Sequence, residues 1–179
     1  PKSHMQRRAD AQHKPFRPSP LSGKGPLASP VSSSQQQPAV DEANDELTSW
    51  RRELGLEGSV ELCGTISDVR SELRAADALV FSSSTEALPM AGIEALSEGL
   101  PVVTTNAGDA GLLAVDEHLL CPPRDPRALA ERLLWLLERS PQQREQLRRQ
   151  AWQLCGERFG IERTVARYRS IYRDLVGVA

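Results

Sequence analysis

Aromatic side chains are scarce in this sequence of 179 residues, at 4%, so we expect a core of Leu, Val, Ile and Ala. No apolar run approaches the roughly 18–20 residues of a membrane-spanning helix. The formal net charge of -2 argues against a general nucleic-acid binder, which needs an excess of Lys and Arg. The three cysteines, Cys63, Cys121 and Cys155, are far apart, which excludes a disulfide framework and a zinc ribbon and predicts a cytoplasmic location.

The head of the chain differs in composition from the rest. Residues 1–40 hold seven of the thirteen prolines, with six basic residues and one acidic residue, whereas the remaining 139 residues hold 16 basic and 23 acidic ones. We predict that residues 1–42 form a disordered head rich in Pro, Ser and Gln, and residues 43–179 a folded domain. Ser3-His4-Met5 has the form of an expression-tag scar. A solvated tail is the favoured interpretation of the basic head, and peripheral contact with an anionic membrane surface, at the inner face, is the alternative.

From residue 41 onward, helical and strand patterns alternate along the chain. A continuous apolar run such as 78–81 is typical of a strand that is buried on both faces. Pro89 predicts a helix start and Gly99 its end. The expected strands are 59–63, 78–81, 101–105 and 119–121, and the expected helices are 41–54, a short one after Asp68, one from Pro89, 126–139, 142–158 and a last one through Ile161, Val165, Tyr168, Tyr172 and Leu175. This order predicts an α/β fold with a Rossmann-like parallel sheet flanked by helices.

Three small, polar loops follow predicted strands. In open parallel sheets, ligands bind beyond the carboxyl ends of the strands. The loops 64–66, 82–89 and 105–111 are therefore expected to converge on a ligand site.

Two carboxylates, Glu86 and Glu94, flank the predicted helix start at Pro89. The first amides of a helix lack acceptors, so the N–H groups of Leu88, Met90 and Ala91 would provide an anion site between the two glutamates. A pyrophosphate there could have a hydroxyl-rich ring on each side, because carboxylates accept hydrogen bonds from vicinal diols. The alternative, which the spacing alone favours, is an ordinary first-turn glutamate and a solvated helical glutamate.

An ordered series of motifs extends this pattern over residues 43–179. The series includes Leu54-Gly55-Leu56, Ala76 to Ser83, Glu86 with Glu94, Glu94 to Val103, Asn106-Ala107-Gly108, Leu120 to Pro126 and the ending from Glu157 to Tyr172. It resembles the carboxyl-terminal, donor-binding half of a retaining GT-B glycosyltransferase of group 1 (glycosyltransferase family 4).

The resemblance implies a role for each matching residue. Glu86 would contact the donor sugar near the anomeric centre as the catalytic residue, and Glu94 would bind the ribose. Leu88, Pro89 and Met90 would hold the diphosphate through their backbone, and Thr65 and Ile66 would contact the base. The family uses a nucleotide-diphosphate sugar as donor substrate without a metal or other cofactor, and no Asp-x-Asp motif is present.

The sequence also departs from the family. The first strands of the family's donor domain have no counterpart here, since the matching stretch is the proline-rich head, and we expect the amino-terminal acceptor domain to be missing. Ala87 replaces a glycine common after the first glutamate.

Three hypotheses stay open: the donor-binding half of a glycosyltransferase, inactive on its own; a non-catalytic interaction module of the same fold; and a nucleotide-sugar epimerase.

Overall fold

A computed structural model describes residues 43–177, of which 43–72 and 73–177 fall into two compact units. The predicted disordered head, residues 1–42, lies outside the described residues.

The smaller unit contains helix α1, Asp45–Glu53, and most of helix α2, Val69–Ala75. The side chain of Asn44 caps α1 by accepting from the amide of Leu47 at 3.1 Å. The chain leaves α1 through Gly55 with φ +64°, which is the predicted helix end. Asp68 caps α2, as predicted, through the amide of Ser71.

The predicted strand at residues 59–63 is wrong. The amides of Ser59 and Val60 donate back to the carbonyl of Leu56 at 2.9 Å, so the segment begins as a turn. A strand exists only where a neighbouring strand accepts its hydrogen bonds, and none of residues 43–177 pairs with this segment.

The larger unit is built on a parallel sheet. Its strands are β1, Leu79–Phe81, β2, Val102–Thr105, and β3, Leu120–Cys121, in the order β1-β2-β3. Leu79 pairs with Val102, and Thr104 pairs with Leu120. The three predicted strands of this region are thereby confirmed.

The helices of the larger unit start at strong sequence signals. Asp125 and Ser140 cap helices whose first residue is proline, a residue that loses no hydrogen bond there. These helices are α3, Met90–Ser97, α4, Pro126–Leu137, α5, Pro141–Phe159, and α6, Ile161–Val176, with 3-10 turns at Ala110–Leu113 and Glu117–Leu119.

The core covers both faces of the sheet. Val102 packs with Leu96 of α3 and Ala151 of α5, whereas Val103 packs with Leu136 of α4. Successive strand residues point to opposite faces, so the predicted parallel sheet flanked by helices is confirmed. Among the helices within residues 43–177, none is both long and apolar enough to cross a bilayer.

Candidate functional site

Two of the three predicted loops come together at the carboxyl edge of the sheet. The hydroxyl of Thr105, at the end of β2, donates to the carbonyl of Ser83 at 2.6 Å. The amide of Asp109 donates to the carbonyl of Ala87 at 2.9 Å. Parallel strands bring their carboxyl ends to one edge, and these two bonds join the loops 82–89 and 105–111 there.

Gly108 lies where the two loops touch. Its φ of +53° is in the left-handed region, and a Cβ atom added to it would collide with the backbone carbonyl of Glu86. Glycine meets both demands, since it has no Cβ and adopts positive φ without strain. The close approach fixes the backbone of Glu86 against the second loop.

Glu86 is half-buried in the loop that precedes α3. Its Oε1 accepts a hydrogen bond from the hydroxyl of Ser83 at 2.7 Å. Its Oε2 has no partner among the described hydrogen bonds of residues 43–177. One carboxylate oxygen is therefore held by the protein, while the other remains for a ligand hydroxyl.

The start of α3 has no side-chain cap. Pro89 is the residue before the helix, it offers no capping hydrogen bond, and no acidic residue lies in the first turn. Gly92 donates to the carbonyl of Pro89 at 3.0 Å, whereas the amides of Met90 and Ala91 precede any intrahelical acceptor. The helix dipole adds partial positive charge at this end, so an anion would be bound favourably here.

Glu94 is exposed in the second turn of α3, one turn after Met90. Residues four apart share a helix face, and side chains lean toward the amino terminus. Glu94 thus lies on the same face as the first residue of the helix. Leu88, in contrast, packs partly into the core, so only its backbone is placed to serve a ligand.

Thr65 and Ile66 belong to the smaller unit, in an exposed turn before Asp68. Their assignment to the base of a nucleotide stays a prediction, as do the roles of Glu86, Glu94 and the Leu88-Pro89-Met90 turn.

Ala87, the departure from the family's glycine, is compatible with its backbone. Arg124 is the one non-glycine residue with positive φ among residues 43–177. The backbone conformation at position 87 therefore does not require glycine.

Ser83, Thr105 and Gly108 lie in the predicted loops, but the sequence assigned none of them an individual role in supporting Glu86. The register pairs Phe81 with Thr104, so the residues following each strand are adjacent. Knowledge of that register would have placed Ser83 beside Thr105. The sequence predicts the two strands but not which residue of one pairs with which residue of the other.

Other chemical features lie outside this edge. A cleft of about 560 Å³ is lined by Arg74, Asp77, Pro101 and Arg148 among others, near the residues that precede β1 and β2. Burial raises the pKa of the Cys121 thiol, which keeps it protonated at neutral pH. Within residues 43–177, no three His, Cys, Asp or Glu side chains cluster as metal ligands.

Comparisons with known proteins agree on one family. The family model described as glycosyl transferases group 1 matches residues 35–139. TuaC of Bacillus subtilis, named as a glycosyltransferase of teichuronic acid biosynthesis, is 42% identical over 64 residues, which cover 35% of this chain and 16% of TuaC.

Solved structures are similar over most of the chain. HepE of Anabaena in complex with UDP has 26% identity and a TM-score of 0.62, covering 74% of this chain and 36% of that chain. The C-terminal domain of LpcC, a glycosyl transferase group 1 family protein of Francisella tularensis, has 24% identity and a TM-score of 0.57, covering 67% of this chain and 64% of that chain. The similarity confirms the Rossmann-like GT-B architecture, and the chain spans well under two thirds of TuaC and HepE.

Proposed function

The chain belongs to the glycosyl transferases of group 1, and we propose that it supplies the donor-binding half of such an enzyme. In this proposal a sugar passes from a nucleotide-diphosphate sugar to an acceptor. HepE, 26% identical to this chain, has been solved with UDP and with UDP-glucose, which favours a nucleoside diphosphate sugar as the ligand class.

The observation that carries the proposal is the uncapped start of α3 with an acidic residue on either side. The diphosphate would accept hydrogen bonds from the amides of Met90 and Ala91, which have no acceptor within the helix. Glu94, on the same helix face as Met90, would accept from the ribose hydroxyls. Glu86, which has one oxygen free of described partners, would contact the sugar.

The same helix start would assist the chemical step. The bond between the anomeric carbon and the diphosphate oxygen would break with its electron pair left on the diphosphate, and the acceptor oxygen would bond to the anomeric carbon. The proton of the acceptor hydroxyl would pass to the departing diphosphate. Negative charge that develops on the departing diphosphate would be stabilised by oriented amides, without a metal. Retention of anomeric configuration, which the family resemblance implies, belongs to the proposal.

An acceptor-binding domain is part of the proposed enzyme. The chain spans 36% of HepE, and a reaction between donor and acceptor needs groups on both sides of the reacting carbon. We propose that this domain lies outside these 179 residues, and that the reaction takes place in the cytoplasm.

Calorimetric titration of the full chain tests donor binding. UDP-glucose, GDP-mannose and ADP-glucose are titrated separately, each with its own nucleoside diphosphate. One of the three pairs is expected to bind. Glu94→Ala is expected to lower the affinity for the nucleoside diphosphate of that pair at least about tenfold, which is about 1.4 kcal/mol.

Glu131→Ala is the matched control, because it removes an exposed carboxylate from α4 that pairs only with Arg127 among the described ion pairs. It is expected to leave the affinity unchanged. Failure of the wild-type chain to bind any of the three pairs, with its fold intact by circular dichroism, would favour the non-catalytic module.

A further inference from the structure

We infer that Ser83 is a positioning residue for Glu86, and that it orients this carboxylate toward the sugar of the donor. The inference rests on the proposed function. It adds a residue that acts through Glu86 and makes no contact with the ligand itself.

The hydroxyl of Ser83 holds the carboxylate directly. It donates to Oε1 of Glu86 at 2.7 Å, an ordinary length for a hydrogen bond from a hydroxyl to an oxygen acceptor. No other described hydrogen bond reaches the Glu86 side chain within residues 43–177. Ser83 therefore holds one carboxylate oxygen of Glu86 and leaves the other for a ligand.

Ser83 is itself fixed to the sheet. Its carbonyl accepts from the hydroxyl of Thr105 at 2.6 Å, and Thr105 is 2% exposed in a strand whose four residues are all buried. Thr104, the neighbouring residue, uses its hydroxyl on the carbonyl of Thr105 instead. The bond from Thr105 thus ties the loop to the strand of the sheet whose residues are all buried.

The backbone of Glu86 is held from the opposite side. The carbonyl of Glu86 lies against Gly108, and the carbonyl of Ala87 accepts from Asp109 at 2.9 Å. With the backbone fixed, the remaining freedom of Glu86 lies in its side-chain torsions. A side chain ordered before the ligand arrives loses less entropy on binding, so loss of the Ser83 bond should weaken binding of the sugar and spare binding of the nucleotide.

The test compares the sugar nucleotide with its diphosphate on the full chain. UDP-glucose, GDP-mannose and ADP-glucose are titrated beside UDP, GDP and ADP, and the bound pair is used. Ser83→Ala is expected to lower the affinity for the sugar nucleotide about three- to tenfold, while the affinity for the nucleoside diphosphate changes less than twofold. Ser83→Thr, which keeps a hydroxyl, should restore the preference.

Two controls separate positioning from a general structural effect. Ser170→Ala removes an exposed hydroxyl of α6 that has no described hydrogen bond and lies outside the site loops, and it should change neither affinity. In a Glu86→Ala background, Ser83→Ala should have no further effect, because the two residues act as a unit.

Each result decides the inference. Equal weakening of both ligands by Ser83→Ala, no change in either, or an additive effect in the Glu86→Ala background would overturn it. If the wild-type chain binds no pair, the proposed function fails and the inference fails with it; if it binds a pair that Ser83→Ala leaves unaffected, only the inference is wrong.

Discussion

Helices α3 and α6 both carry apolar residues at helical spacing, but their burial differs completely. α3 buries Gly92, Ala95 and Leu96, whereas no residue of α6 is buried. Tyr172 and Leu175 of α6 are 63% and 75% exposed. Helical spacing thus predicts which face of a helix is apolar, whereas burial of that face depends on whether another element packs against it.

The environment of α3 explains its burial. Leu96 packs with Val102 of β2 and Ala151 of α5, so the helix lies between the sheet and another helix. Gly92 has no room for a Cβ atom, since one would collide with Leu113. The start of α3 at the candidate site is therefore held by a tightly packed helix body.

The largest expected effect is on the buried side of α3. Leu96→Ala removes a side chain that is 0% exposed, and it should lower the free energy of unfolding by about 2–5 kcal/mol, because the cavity adds to the lost burial. Chemical denaturation followed by circular dichroism measures the change. A loss below about 1 kcal/mol would show that the packing around α3 is looser than described.

An intermediate effect is expected where the site loops touch. Gly108→Ala and Gly177→Ala both place a side chain at positive φ, which costs about 1–2 kcal/mol. Of these two positions, only Gly108 places the added Cβ against another atom; at Gly177 no atom of residues 43–177, apart from the glycine and its chain neighbours, lies within 4 Å of it. Overpacking should add about 1–3 kcal/mol at Gly108 alone.

Denaturation of both glycine variants measures this difference, and titration with the nucleotide pair that the wild type binds shows its consequence. Gly108→Ala should also weaken the sugar nucleotide, since it displaces the backbone of Glu86. Equal destabilisation by the two variants would contradict the described contact between Gly108 and Glu86.

The strands and helices of the larger unit could be predicted from the sequence because its local patterns, apolar runs and helix-start residues, agree with the tertiary packing. Apolar runs gave β1 and β2, and Pro89, Pro126 and Ser140 are at or next to the observed helix starts. The segment 59–63 alternates like a strand, yet Val60 is 40% exposed and its amide bonds within a turn. Alternation specifies a strand only when a partner strand is present, and no local pattern supplies that partner.

The charged residues of the candidate site could be predicted from the sequence, but the hydrogen bonds and contacts that hold them in place could not. Glu86 and Glu94 are visible as a spaced pair beside a proline. The bond from Thr105 to Ser83 joins residues 22 apart in sequence, and the contact of Gly108 with Glu86 depends on the offset between two strands. Such contacts follow from the sheet register, which the sequence does not encode locally.

The smallest expected effect is on the exposed apolar face of α6. Leu175→Ala removes the same atoms as Leu96→Ala from a side chain that is 75% exposed, and alanine is at least as good a helix former. The free energy of unfolding should change by less than about 0.5 kcal/mol, as for other surface positions. Denaturation at two protein concentrations measures it. A loss above about 1 kcal/mol that grows with protein concentration would show that a second copy covers this face in solution. The reason is that a partner that binds only the folded chain makes its stability depend on concentration. The same loss at both concentrations would instead place a contact to Leu175 within the chain.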